Sequence, residues 1–250
     1  GETSSSGWVS GGFDTSFDGS TDGFVAKIVE ATPPPLVEGT AGDDTIRLVR
    51  NAADPTKVDV FVNNPGPAPT KTVGIAELWQ WIISGGQGND RLEVDLSRGN
   101  LLPAGGLVFD GGDGRDTLVV VGALADDQVR LTASQVLLAG HPPIDYSRLE
   151  SFAFRLGTGN DALTVDGATA TLVEPLSAAA VSVVNSGQLQ APSITAETVS
   201  VGAGAVLRFA SSAAGGGGAQ SGLPVDGPAP ASSDAFDQQQ QLNQHQQLFG

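Results

Sequence analysis

Gly85-Gly86-Gln87-Gly88-Asn89-Asp90-Arg91-Leu92-Glu93 sets out a nine-residue pattern, G-G-x-G-x-D-x-U-x, with U a large apolar residue. It returns as Gly111-Gly112-Asp113-Gly114-Arg115-Asp116-Thr117-Leu118-Val119. Two weaker copies flank these. Gly39-Thr40-Ala41-Gly42-Asp43-Asp44-Thr45-Ile46-Arg47 lacks the second glycine, and Leu156-Gly157-Thr158-Gly159-Asn160-Asp161-Ala162-Leu163-Thr164 lacks the first. Glycine reaches positive φ without steric cost and lets backbone or an ion come close. The aspartate offers a hard oxygen. The apolar residue opens a strand that points into a core.

Working outward, the motifs start at 39, 85, 111 and 156, with gaps of 46, 26 and 45. Alternate motifs lie 72 and 71 residues apart, and their flanks agree. Leu78–Ser84 aligns with Leu149–Arg155, and Asn89–Asp95 with Asn160–Asp166. A fixed period with retained apolar positions points to a repeat architecture. The segments between motifs alternate as strands do: Ile46 and Leu48 around Arg47, then Val58, Val60 and Val62 around Asp59 and Phe61. Leu118 with Val120, and Val129 with Leu131, repeat that alternation. Only 121–138 is ambiguous between strand and helix. In 178–210, Val181-Ser182-Val183 returns as Val199-Ser200-Val201 and Leu189 as Leu207, an offset of 18. The expected fold is all-β, a parallel β-solenoid or β-roll-like stack of repeats. Leu92, Leu118 and Leu163 are expected to point inward.

The nine-residue motif resembles the RTX (haemolysin-type) calcium-binding repeat, a β-helix signature. The resemblance implies Ca²⁺ as a cofactor, held by Asp44, Asp90, Asp116 and Asp161 and by backbone carbonyls at the first and third motif positions. The carbonyls include Gly85, Gln87, Gly111 and Asp113; the two full matches, Gly85–Asp90 and Gly111–Asp116, are the foremost candidates. Calcium takes six to eight oxygens, so one turn is not enough and a neighbouring turn must complete the shell. Family arrays place the motifs back to back, whereas here they stand apart, so their stacking does not follow from spacing. Arg115 also places a cation inside the third motif. An ion-free turn, in which Asp caps backbone N–H groups, uses the same residues. Both readings stay open at this point.

Residues 1–28 differ from the rest. Gly11-Gly12-Phe13-Asp14-Thr15-Ser16-Phe17-Asp18-Gly19 and Asp22-Gly23-Phe24-Val25-Ala26-Lys27-Ile28 resemble the end of an SBBP-type bacterial β-propeller repeat. That resemblance implies a propeller remnant, with a strand through Phe24, Ala26 and Ile28. Pro33-Pro34-Pro35 favours extended polyproline II and sets a linker over 29–38. Two repeats of about 71 residues are expected over 39–177, short-rung strands over 178–210, and a disordered low-complexity tail over 211–250. A short helix near Phe236–Leu248 is the one expectation of order in that tail.

Composition narrows the function. Lys+Arg is 12 against Asp+Glu 28, a formal net charge of -16. So acidic a chain does not bind nucleic acid by neutralising phosphates. It has no cysteine, which excludes disulfides and thiolate metal sites. No stretch nears 18 consecutive apolar residues, so no membrane span is expected. Residue 1 is Gly and the chain has no Met, so it reads as a piece of a longer product.

Enzyme chemistry finds little support. His141 sits in a Gly-His-Pro-Pro turn with no second histidine near, and no Ser-His-Asp, HExxH or P-loop spacing exists. Trp79, Trp81 and Ile83, two apart, read as a core stripe with Trp79 at its rim. The expected function is a structural or adhesive module of a large secreted or cell-surface bacterial protein, stabilised by calcium and not enzymatic. Cell-surface polysaccharide or matrix components are its expected partners. The alternatives are a β-helix polysaccharide-active enzyme and a carbohydrate-binding module using Trp79.

Overall fold

The computed structural model describes residues 37–210 and, upstream, the backbone of two short strands, β1 (Glu2–Thr3) and β2 (Asp22–Gly23). The chain divides into two units, Gly1–Pro34 and Pro35–Gly250. In the first, β1 and β2 pair antiparallel, Glu2 opposite Gly23. The expected strand through Phe24, the proline spacer and the tail 211–250 lie outside the described residues.

The second unit is all-β among its described residues apart from one 3-10 turn, Ile75–Glu77. The chain runs through β3 (Val37–Glu38), β4 (Thr45–Arg50), β5 (Lys57–Val62), β6 (Lys71–Gly74), β7 (Trp81–Gln87) and β8 (Arg91–Asp95). It continues through β9 (Leu107–Asp113), β10 (Thr117–Val121), β11 (Gln128–Leu131), β12 (Gln135–Leu138), β13 (Ile144–Ser147) and β14 (Ser151–Arg155). Then follow β15 (Ala162–Asp166), β16 (Thr169–Thr171), β17 (Leu176–Ser177) and β18 (Ala180–Val184). The last are β19 (Gln188–Ala191), β20 (Ile194–Thr195), β21 (Thr198–Val201) and β22 (Val206–Phe209). Val37–Glu38, expected in the linker, is thus a strand. It pairs in parallel with β7, Val37 opposite Ile83. The ambiguous 121–138 segment resolves as strands, with β11 and β12 forming an antiparallel hairpin.

Most pairings are parallel. One sheet has the order β14-β10-β8-β4-β5-β6, the other β21-β18-β15-β11-β12-β13-β9-β7-β3; neither closes on itself. The period-two alternation decides which side chains enter the core. Ile46, Leu92, Leu118 and Phe152 stand in register in the first sheet, as do Leu48, Val94, Val120 and Phe154. Trp81, Leu107 and Ile144 stand in register in the second. All of these are buried. Leu92, Leu118 and Leu163 point inward as expected and are 0% exposed. Trp81 is buried with its indole N–H donated to the Leu101 carbonyl at 3.1 Å. Trp79 precedes β7 and is 75% exposed, so the stripe begins at Trp81.

The outward side of the first sheet is also covered. Val119 and Ala153 are in register with Glu93, on the face opposite Leu118 and Val120, yet both are buried. Arg155 of β14 reaches across β10 to Glu93 of β8 at 3.2 Å and also binds Glu174 at 2.7 Å. The aliphatic stems of such side chains shield apolar surface even where the ion pairs themselves contribute little.

Towards the C-terminus each circuit shortens to 18 residues. Val181 pairs with Val199 and Leu189 with Leu207, the residues singled out by their offset. The 72-residue half of the longer period spans two steps of one stack, but the 71-residue half is not a stacking register. It equates β7 with β14 and β8 with β15, which lie in different sheets. The similarity arises because the same glycine-aspartate turn serves both corners where the chain crosses between the two sheets.

Candidate metal-binding turns

At the first corner the chain passes from the nine-stranded to the six-stranded sheet through residues 39–44, 85–90 and 111–116, and then through a shorter turn at 148–150. The three motifs therefore stack, with separations of 46 and 26 residues. Their glycines are required by contact between stacked turns. Gly112 has φ +103, and a Cβ there would lie 2.0 Å from the Gly86 carbonyl oxygen; at Gly114 it would lie 1.7 Å from that of Gly88. Every larger residue would push the turns apart.

Two side-chain ladders running in opposite directions hold the stack together. At the sixth motif position, the Asp44 N–H donates to Asp90 Oδ1 at 2.8 Å and the Asp90 N–H to Asp116 Oδ1 at 2.8 Å. The Asp116 N–H donates to Glu150 Oε2 at 2.7 Å, which ends the column. At the fifth position the polarity reverses. The Asn89 N–H donates to Asp43 Oδ1 at 2.7 Å, and the Arg115 N–H to Asn89 Oδ1 at 3.1 Å. The buried N–H groups of Asp44 and Asp90 need acceptors, and the aspartates of the neighbouring turns supply them. Arg115 is exposed, so its cation lies off the column of carboxylates.

The fourth motif does not join this column. Residues 156–161 form the opposite corner and stack on 122–127, with the Asp127 N–H donating to Asp161 Oδ1 at 2.9 Å and the Asn160 N–H to Asp126 Oδ1 at 2.9 Å. Asp127, Asp126 and Glu150 are turn-pairing positions that the sequence pattern did not single out. Gly122-Ala123-Leu124-Ala125-Asp126-Asp127-Gln128-Val129 keeps the first glycine, the aspartate and the apolar residue of the pattern. That spacing was the signal available. Glu150 carried none, because its turn is shorter than the motif.

The second carboxylate oxygen separates the turns into two kinds. Asp44 Oδ2 accepts the Thr40 N–H at 2.6 Å and its hydroxyl at 3.0 Å, and Asp127 Oδ2 accepts the Ala123 N–H at 2.9 Å. Asp90 Oδ2 and Asp116 Oδ2 are buried with no hydrogen-bond partner among the described residues. These belong to the two full motifs, where β7 and β9 run on through Gly86 and Gly112, which pair with each other. Each free oxygen and a carbonyl of the next turn border the same glycine. The Cβ position of Gly85 is 2.4 Å from Asp90 Oδ2 and 2.2 Å from the Gly111 carbonyl oxygen. That of Gly111 is 2.6 Å from Asp116 Oδ2 and 2.2 Å from the Arg148 carbonyl oxygen. Two acceptors thus face one glycine, with no donor between them.

The electrostatics follow. Burial raises the Asp90 carboxyl above its ordinary range, and the Asp116, Asp44 and Asp43 charges add to this against the Asp44 N–H. Burial likewise raises Asp116, with Glu150 and Asp110 adding and the Asp90 N–H and Arg148 opposing. Burial also raises Asp127. At Asp44 burial is outweighed by hydrogen bonds from Thr40 and Asn63, which hold its carboxyl low.

The predicted ligands are therefore distributed as follows. Asp44, Asp90, Asp116, Gly85, Gln87, Gly111 and Asp113 share one corner, and Asp161 lies at the other. Gln87 and Asp113 are exposed, and the Asp113 carbonyl accepts the Gly88 N–H at 2.9 Å. Among the described residues no group of three or more His, Cys, Asp or Glu side chains converges on a metal-sized space. His141 is a turn residue whose Nδ1 meets the Ala139 carbonyl oxygen at 3.1 Å. No helix among the described residues is long and apolar enough to cross a membrane. No protein-family model matches the chain, and no curated protein or solved structure matches it.

Proposed function

We propose that residues 37–210 form a parallel β-solenoid that serves as a structural, adhesive or spacer module of a secreted or cell-surface protein, and that calcium tightens its first corner. The observation that carries the calcium reading is the pair of buried, unpartnered oxygens, Asp90 Oδ2 and Asp116 Oδ2, in the two turns that keep the whole motif. An orphaned buried carboxylate oxygen is costly without a proton or a cation. The fit is to a shell built mainly from backbone oxygens and water around these carboxylates, because no cage of acidic side chains exists there. Asp90 and Asp116 would hold the ion, and neutralisation of their charge is the chemistry it would supply.

Calorimetric calcium titration of the parent, Asp90→Asn and Asp116→Asn tests this. A site of the native state alone adds about 2.7 kcal/mol of stability at 100 times its dissociation constant. Either substitution should remove most of that gain, while Asp54→Ala, in an exposed turn, should leave it intact. A parent with no calcium response at millimolar concentration leaves a metal-free structural solenoid. A second reading, carbohydrate binding, rests on Trp79, which is 75% exposed and lies against Gly105. Retardation on polysaccharide affinity gels that Trp79→Ala abolishes would support it.

A further inference from the structure

The stack ends unevenly. At one end the six-stranded sheet closes with the β5–β6 hairpin and the nine-stranded sheet with a two-residue strand. At the other end, among the described residues, β21 and β22 are edge strands. Val199 and Phe209 there are 48% and 59% exposed, although they continue the columns of buried Val181 and Ala191. A terminal repeat with an uncovered apolar column and free backbone groups needs a cover.

The following sequence does not supply one in the same register. Eighteen residues on from Val199, Val201, Val206 and Phe209 stand Gly217, Ala219, Pro224 and Gly227. Charge favours a second copy instead. The chain carries -16 overall, yet residues 198–210 hold a single charged side chain, Arg208. Two such ends meet without the repulsion that other faces of so acidic a chain would bring.

The backbone selects the register. The Thr198 N–H donates to the Ala179 carbonyl and the Gly202 N–H to the Val183 carbonyl, so even-numbered groups of β21 turn to β18. Val199 and Val201 therefore present their N–H and C=O outward. We propose that the β21 edge is a two-fold self-association surface, Ser200 lying on the axis and Val199 opposite Val201 of a second copy. Val199 and Val201 then form antiparallel hydrogen-bonded pairs with their inward side chains on the same face. Ser200 and its symmetry mate form the close pair without hydrogen bonds, with Cα atoms about 4.5 Å apart. The inference is independent of calcium.

The chain has no cysteine, so Ser200→Cys introduces a single thiol. A close antiparallel pair lies within disulfide reach. Thr164→Cys is the control, in the same outward column but two strands inside the sheet. Sedimentation of the full chain should show a concentration-dependent dimer. Ser200→Cys should oxidise to a covalent dimer at least ~10-fold faster than Thr164→Cys, as expected when pairing raises effective concentration. Val199→Pro, which removes an outward N–H, should weaken the dimer at least ~10-fold, by the edge-strand logic that proline blocks pairing. A chain that is monomeric at every concentration overturns the proposal, as do equal oxidation rates for the two thiols. A monomeric Ser200→Cys variant whose thiol is shielded from maleimide shows that the chain's own residues cover the edge, and also overturns it.

Discussion

Asp90→Asn should stabilise the metal-free protein and remove most of its response to calcium. Asp90 is 2% exposed, and its Oδ1 is already the acceptor for the Asp44 N–H at 2.8 Å. Asparagine keeps that acceptor. Its amide N–H₂ replaces the unpartnered Oδ2 on the glycine face that the Gly111 carbonyl oxygen also borders, so a buried charged acceptor without a donor becomes a neutral donor. Relieving a buried unsatisfied group is worth about 1–3 kcal/mol, which is the expected gain in EDTA at neutral pH. The pH dependence has a definite sign. The folded-state carboxyl of Asp90 is raised, so between the unfolded and folded values the native protein binds more protons and its stability falls as pH rises. The penalty is complete above the folded value and absent below the unfolded value of about 3.9. The advantage of Asn over Asp should accordingly shrink as pH falls towards 4. Urea midpoints of the two proteins in EDTA, at neutral pH and near pH 4, measure this directly. A loss of more than about 1 kcal/mol for Asp90→Asn at neutral pH would show that the ionised carboxylate stabilises the metal-free turn, and the argument from Oδ2 would fail.

Other substitutions test the packing and the ladders. Leu118→Ala removes a fully buried side chain from the middle of a column and should cost about 2–5 kcal/mol in chemical denaturation. Gly112→Ala sets a methyl 2.0 Å from the Gly86 carbonyl oxygen at a φ of +103 and should prevent stacking, so loss of the folded far-UV signal is expected where Gly42→Ala, whose methyl would meet only Thr40 Oγ1 at 3.9 Å, keeps it. Asp127→Ala leaves the half-buried Ala123 N–H without its acceptor and should cost about 1 kcal/mol, the opposite sign to Asp90→Asn.

Local chemistry was legible in the residues themselves. Period-two alternation placed Leu92, Leu118 and Leu163 inside, because in a pleated strand the side chain's face depends only on position. The 18-residue offset in 178–210 matched Val181 to Val199, since no loop there varies in length. The glycine-aspartate spacing located three turns of the first corner, because positive φ and an Asx acceptor are demands of the turn itself.

Which turn lies on which was decided only by the tertiary structure. Separations of 46, 26 and 34 residues along the first corner reflect insertions such as the β5–β6 hairpin, and pairing across them is long-range backbone hydrogen bonding that no local pattern records. The same motif serves both corners, so sequence similarity equated strands of different sheets and grouped Asp161 with carboxylates it does not meet. Burial likewise arises only on stacking. Thr40 satisfies Asp44, whereas in the turns where strand pairing runs on through Gly86 and Gly112 Asp90 and Asp116 each keep one free oxygen, and three similar aspartates acquire different chemistry from their neighbours in the stack.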